Sequence, residues 1–125
     1  MKIFDCFMYY DEELILDLRL NLLNDYVDKF IIVESSYTHS GETRKPLFDI
    51  KKYSKFKNKI IYILLEDLPA DLFAIDEKDS IDSKNSKFIL NAVKRENLQR
   101  DTLVRGIKSA ASEDLILVSD VDEIP

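Results

Sequence analysis

Leu115 to Pro125 reads LILVSDVDEIP: four apolar residues, a serine, and then three acids within four positions. The apolar run has the length of a strand, and its polar end marks where that strand stops. Two further runs share its form, FIIV at Phe30–Val33 and IIYILL at 60–65. Near-continuous apolar runs of this kind belong to strands covered on both faces, the habit of parallel sheets. Working outward from them, strands are expected at Lys2–Met8, Asp28–Ser35, Lys59–Glu66 and Asp114–Ser119.

The intervening segments are helical. Asp11–Val27 opens with acids, which suit a helix N-terminus. At 100° per residue Leu14, Ile15, Leu18, Leu22 and Tyr26 share one face, while Leu16, Leu20 and Leu23 form a second stripe, so packing on two sides is expected. Asp49–Asn58 reads as a short basic helix, 66–86 as an exposed acidic loop, and 86–111 as a long helix. Strands alternating with helices give an α/β fold with a mostly parallel sheet and flanking helices. In open sheets of this kind ligands bind beyond the carboxyl ends of the strands. ESSYTHSG, from Glu34, and SDVDEIP, from Ser119, both begin at such ends.

The 125 residues fit one compact domain. A net charge of −6 excludes a general nucleic-acid binder, because phosphate attraction needs a basic surface. Cys6 is the lone cysteine and forms no internal disulfide, so a reducing compartment is expected. Neither a signal peptide nor a transmembrane segment is legible, which makes the expected location cytoplasmic or peripheral to a membrane.

Asp120 and Asp122 form a D-x-D pair with Glu123 next to them. Two carboxylates at that spacing, just off a strand, can converge on a hard divalent cation such as Mg²⁺ or Mn²⁺. The other reading of the same residues is a solvated acidic turn. Asp5, an acid inside a strand with no partner acid, is read as structural. On the long helix an apolar stripe of Phe88, Ile89, Ala92, Val93, Leu103, Val104, Ile107, Ala110 and Ala111 surrounds Glu96 and Arg100, with Gln99 at its edge. Buried charge needs a partner, so these two read either as an i, i+4 pair or as ligand-facing groups. After the second strand, Glu34 offers a carboxylate for a ribose or base, Thr38 and Ser40 offer hydroxyls, and Arg44 and Lys45 offer phosphate contacts. Gly41 permits a sharp turn. His39 has no cysteine or second histidine beside it for a zinc site and is expected to be exposed.

Four segments, DCFMYYDEELILDLRLNLL, VDKFIIVESSYTHSGETRKPLFD, ENLQRDTLVRGI and LILVSDVDEIP, together resemble the family-17 glycosyltransferases. The resemblance implies a GT-A (Rossmann-like) fold truncated after the D-x-D strand, with residues 1–125 as its nucleotide-sugar-binding half. It implies a UDP-sugar donor, UDP-N-acetylglucosamine, and transfer of the sugar with inversion to a glycan or glycoconjugate acceptor. Carried onto this chain, it implies Mn²⁺ or Mg²⁺ on Asp120 and Asp122, Asp120 and Arg100 at the diphosphate, and Glu34, Thr38 and Ser40 around the nucleoside. The family's acceptor half and base lie beyond its S-D-x-D-E-I-P segment, so no catalytic base is assigned, and Glu123 reads equally as a support of the loop. Two alternatives stay open: a nucleotide-sugar-binding stub without turnover, and a Mg²⁺-dependent haloacid-dehalogenase-like phosphohydrolase, whose nucleophilic Asp normally follows the first strand.

Overall fold

In the computed structural model, which describes all 125 residues, four strands form one all-parallel sheet in the order β3-β2-β1-β4. The strands are β1 (Ile3–Tyr9), β2 (Lys29–Ser35), β3 (Ile60–Leu65) and β4 (Leu115–Val118). Helix α1 (Glu13–Leu23) links β1 to β2, a 3-10 helix (Ile50–Phe56) precedes β3, and α2 (Ile81–Thr102) with a 3-10 extension (Leu103–Gly106) returns the chain to β4. Register pairs Cys6 with Ile31 on one side and with Val118 on the other. The chain thus builds outward from β1 to β3 and then comes back to the far side of β1. That reversal is the switch point at which a parallel sheet opens a crevice. The result is the expected α/β, Rossmann-like arrangement.

The two-residue repeat of the strands divides the interior. Phe7, Tyr9, Phe30 and Ile32 face α1 and the first 3-10 helix, joining Leu16, Leu20, Leu23, Tyr53, Phe56 and Val121. Phe4, Cys6, Ile31 and Val33 face the other way and join Leu65 and Leu103. Burial in that second layer, with Asp5 adjacent, pushes the Cys6 thiol up to about 12, so the cysteine stays a neutral apolar group. Gly106 brings its 3-10 turn onto β2 so closely that a Cβ there would overlap the Ile31 side chain.

Several expectations are corrected. Continuous apolar strands do not mean full cover at the sheet's edge: Leu115 and Val118 of β4 are exposed on an edge strand whose one neighbour in the sheet is β1. α1 packs on one side only. Leu16, Leu20 and Leu23 are buried, while Leu14, Leu18, Leu22 and Tyr26 face solvent. α2 begins at Ile81 rather than Ser86, because the Ser80 hydroxyl caps it by accepting the Ser83 N–H. It ends at Thr102, before the expected Ala111, where the chain tightens into 3-10 geometry. Of the expected stripe, Leu103 is buried and Ile107 and Ala110 pack against the second core layer, whereas Phe88, Ile89, Val93 and Val104 are exposed and the buried residues of α2 itself are Asn91, Gln99 and Thr102. No helix is long and apolar enough to cross a membrane.

Candidate functional site

A cleft of about 560 Å³ opens beyond the carboxyl ends of β1, β2 and β4. After β1 it is walled by Tyr9, Tyr10 and Glu12, after β2 by Ser35, Tyr37, Thr38, His39 and Ser40, and after β4 by Asp120, Val121 and Asp122. Glu96 and Gln99 of α2 close the remaining side. The volume falls in the roughly 300–1,000 Å³ range of small-molecule sites.

The acidic loop is shaped by what lies beneath it. Val121 is buried in the α1-side core and Ile124 packs against that core, while Asp120, Asp122 and Glu123 stay exposed. The turn is closed by the Glu123 N–H donating to the Asp120 carbonyl at 2.9 Å. With the apolar residues drawn down, the three carboxylates turn up, and each offers an oxygen within 4.8 Å of the others. An octahedral cation with oxygens at about 2.1 Å would hold them about 3.0 Å (cis) to 4.2 Å (trans) apart. A small closing of the turn reaches that geometry, and all-oxygen donors suit Mg²⁺ or Mn²⁺. The residues therefore fit such an ion.

Arg100 sits at the rim, its guanidinium 3.2 Å from Glu96 and 3.8 Å from Asp120. The i, i+4 pair of the sequence reading is thus present. Both side chains are about two-fifths exposed, however, rather than set in a buried stripe. Such a pair contributes little to stability and leaves Arg100 free to swing toward an anion.

The loop after β2 is a small closed structure. Tyr37 and Thr43 form an antiparallel bridge. The Thr38 carbonyl accepts the Gly41 N–H at 2.9 Å, and the Thr38 and Ser40 hydroxyls lie 2.8 Å apart. Gly41 takes φ +93°, the left-handed region that glycine enters without a Cβ clash. Arg95 of α2 straps this loop down by donating to the His39 carbonyl at 2.9 Å. The His39 ring meets Gln99 Oε1 at 3.3 Å, and Gln99 is otherwise buried against β2.

Thr38, Ser40, Asp120 and Asp122 are therefore brought to one cleft, with Arg100 at its edge. Glu34 is not. Its carboxylate is fully buried on the Phe30–Ile32 face and accepts from the Leu47 N–H (2.7 Å), the Phe48 N–H (3.2 Å) and the Tyr62 hydroxyl (2.6 Å). It also pairs with Arg44 at 3.0 Å. Burial first, and the bond to Glu34 second, hold the Tyr62 phenol well above its usual range. Arg44 is likewise engaged, donating to the Ser35 and Tyr10 carbonyls, so the expected phosphate contact is replaced by a structural one. The sequence reading overlooked Tyr9, Tyr10 and Glu12. The signal was available, because they follow the carboxyl end of β1 just as the two chosen loops follow β2 and β4.

Comparison with known proteins bears on what this cleft does. The sequence model of glycosyltransferase family 17 matches residues 1–125. The chain belongs to that family. Its relatives include the β-1,4-mannosyl-glycoprotein 4-β-N-acetylglucosaminyltransferases of Homo sapiens and Rattus norvegicus, each 25% identical over 115 residues. The match covers 89% of this chain and 19% of each relative, so the chain spans about a fifth of their length. No solved structure matches it.

Proposed function

We propose that this chain forms the donor-binding region of a GT-A glycosyltransferase that moves N-acetylglucosamine from UDP-N-acetylglucosamine to a glycan acceptor with inversion. Family membership supports glycosyl transfer over phosphoester hydrolysis. The observation that carries the donor assignment is the convergence of Asp120, Asp122 and Glu123 at the mouth of a cleft on the sheet's carboxyl edge. That cleft is acidic: Glu12, Glu96, Asp120 and Asp122 line it, and its one arginine, Arg44, is tied to Glu34. A diphosphate would be repelled from such a surface unless a cation accompanied it.

Asp120 and Asp122 would hold that cation, Mn²⁺ or Mg²⁺. When bound, it supplies charge neutralisation for the diphosphate as the glycosidic bond to it breaks. Arg100 lies where a phosphate oxygen beside Asp120 would meet its guanidinium. The hydroxyls of Thr38 and Ser40, with His39 and Gln99, offer hydrogen bonds to the nucleoside, and Tyr9, Tyr10 and Tyr37 give aromatic walls. Glu34 supports this pocket from behind by fixing Arg44 and the 47–48 backbone. The test is calorimetric titration of the chain with UDP, with and without Mn²⁺. UDP affinity should fall at least tenfold on removing Mn²⁺ and equally in Asp122→Ala. Unchanged binding in that variant overturns the metal assignment, and an acceptor panel then separates turnover from binding alone.

A further inference from the structure

We propose that Arg19 is the positioning residue of the acidic loop, a buried guanidinium that holds the backbone of residues 119–123 in the turn from which the three carboxylates converge. The proposal rests on the cation reading above. Arg19 stands in the middle of α1 among the buried Leu16, Leu20 and Leu23, and is itself wholly buried. A guanidinium in such a place is tolerated only when its donors are matched. Here they are matched in two groups. Nε and Nη2 donate to the two carboxylate oxygens of Asp5 at 2.8 and 2.7 Å, a bidentate pair with both partners fully buried. The remaining donors go to the acidic loop: Nη2 to Ser119 Oγ at 2.6 Å, and Nη1 to the carbonyls of Asp120, Val121 and Glu123 at 2.6, 3.2 and 3.3 Å. The Phe7 ring lies beneath the guanidinium at 4.4 Å.

This division of labour determines what Arg19 does. Asp5 neutralises its charge, so the pair offers the loop directed N–H groups rather than a net field. One nitrogen reaches three carbonyls of a single tight turn, and one of these, the Asp120 carbonyl, also accepts the Glu123 N–H that closes the turn. Three exposed carboxylates within 4.8 Å repel one another and would open an unsupported loop. Arg19 opposes that opening from below without touching the carboxylates, which remain free for a ligand. A buried ion pair is commonly replaceable by apolar residues at no loss of stability. A pair whose spare donors all end on the acidic loop is therefore explained by the loop's geometry better than by the core's cohesion.

The full 125-residue chain is compared with Arg19→Lys, Ser119→Ala and Asp122→Ala by amide hydrogen exchange and by titration with Mn²⁺ alone. Lysine keeps the charge beside Asp5 but cannot span to the turn. Ser119→Ala removes one of the loop bonds and leaves the core pair intact. Arg19→Lys should speed exchange at 119–124 at least tenfold beyond any change in β1 and β2, and should weaken Mn²⁺ binding at least tenfold. Ser119→Ala should show the same pattern at about threefold, and decides the matter if Arg19→Lys does not fold. Asp122→Ala should lose Mn²⁺ binding without loosening the loop. Loop exchange and Mn²⁺ affinity both at parental values in a folded Arg19→Lys or Ser119→Ala overturn the proposal. If the parent itself binds no Mn²⁺, the cation reading fails, and loop exchange alone upholds or overturns the positioning role.

Discussion

Glu34→Gln discriminates between a carboxylate that serves the ligand and one that serves the fold. Every group around Glu34 is a donor: two backbone N–H groups, the Tyr62 hydroxyl and the Arg44 guanidinium. Glutamine keeps the shape but gives back one acceptor oxygen and two N–H groups, which must then face donors in a site with no water access. An unsatisfied buried polar group costs about 1–3 kcal/mol. Removing one member of a buried ion pair costs about 3–5 kcal/mol. Arg44 keeps two carbonyl acceptors and slight solvent contact, which places the sum near the lower bound, about 3 kcal/mol. At about 4 °C per kcal/mol for a domain of this size, the midpoint of thermal unfolding should fall by about 12 °C. Urea unfolding followed by circular dichroism measures the first quantity and a thermal scan the second. UDP affinity, taken well below the new midpoint, should change less than threefold. A stability loss under about 1 kcal/mol together with collapse of UDP binding would refute the reasoning, since the carboxylate would then face the cleft.

Two further outcomes follow from single positions. Gly41→Ala forces a Cβ into the left-handed region and against the Arg95 guanidinium, which lies 2.5 Å from where that atom would stand. It should cost about 1–2 kcal/mol and weaken UDP binding severalfold by disturbing the wall that carries Thr38 and Ser40; calorimetry at constant Mn²⁺ checks both, and a silent substitution refutes the strap. Asp114 accepts the N–H groups of Ala111 and Lys2, which hold its carboxyl below the usual carboxylate range. A depressed folded-state value means that its stabilisation is present above the unfolded value near 3.8 and is lost as pH falls through the folded one. The stability gap between the parent and Asp114→Ala should therefore be flat from pH 7 to 5 and narrow below about pH 4; a gap that persists at pH 2 is inconsistent with this account.

The strands and their order of appearance were legible because apolar runs of strand length leave few other readings, and the carboxyl-edge rule then pointed to the loops after β2 and β4. What periodicity could not say is which of two stripes is covered. Leu14–Leu18–Leu22 and Leu16–Leu20–Leu23 are equally apolar on α1, and only the sheet's position buries the second. The same ambiguity misdirected α2, whose buried side is polar because Asn91 binds the Phe73 backbone and Gln99 binds Val33 and His39. Glu34 is a different case. The two-residue alternation of β2 already put it with Phe30 and Ile32 and opposite Ser35. Position at a strand's end places Glu34 near the cleft, but the direction of its side chain takes it to the side of the sheet opposite Ser35, where its carboxylate is buried.

Aspartates of the same type meet opposite fates in this chain, and one arginine explains the difference. Asp5 lies in β1 level with Leu117 of β4, and Asp120 lies in the turn just beyond that strand. Asp5 points inward to a guanidinium that leaves it no free oxygen, whereas Asp120 gives that same guanidinium only its backbone carbonyl. A D-x-D spacing alone specifies neither outcome. What makes the segment a candidate site is that its backbone is anchored, Val121 by packing and the carbonyls of Asp120, Val121 and Glu123 by Arg19, so that the acids have no way to fold under. The spacing is visible in the last eleven residues; the anchor is a hundred or more residues earlier, inside a helix whose apolar pattern passes over it.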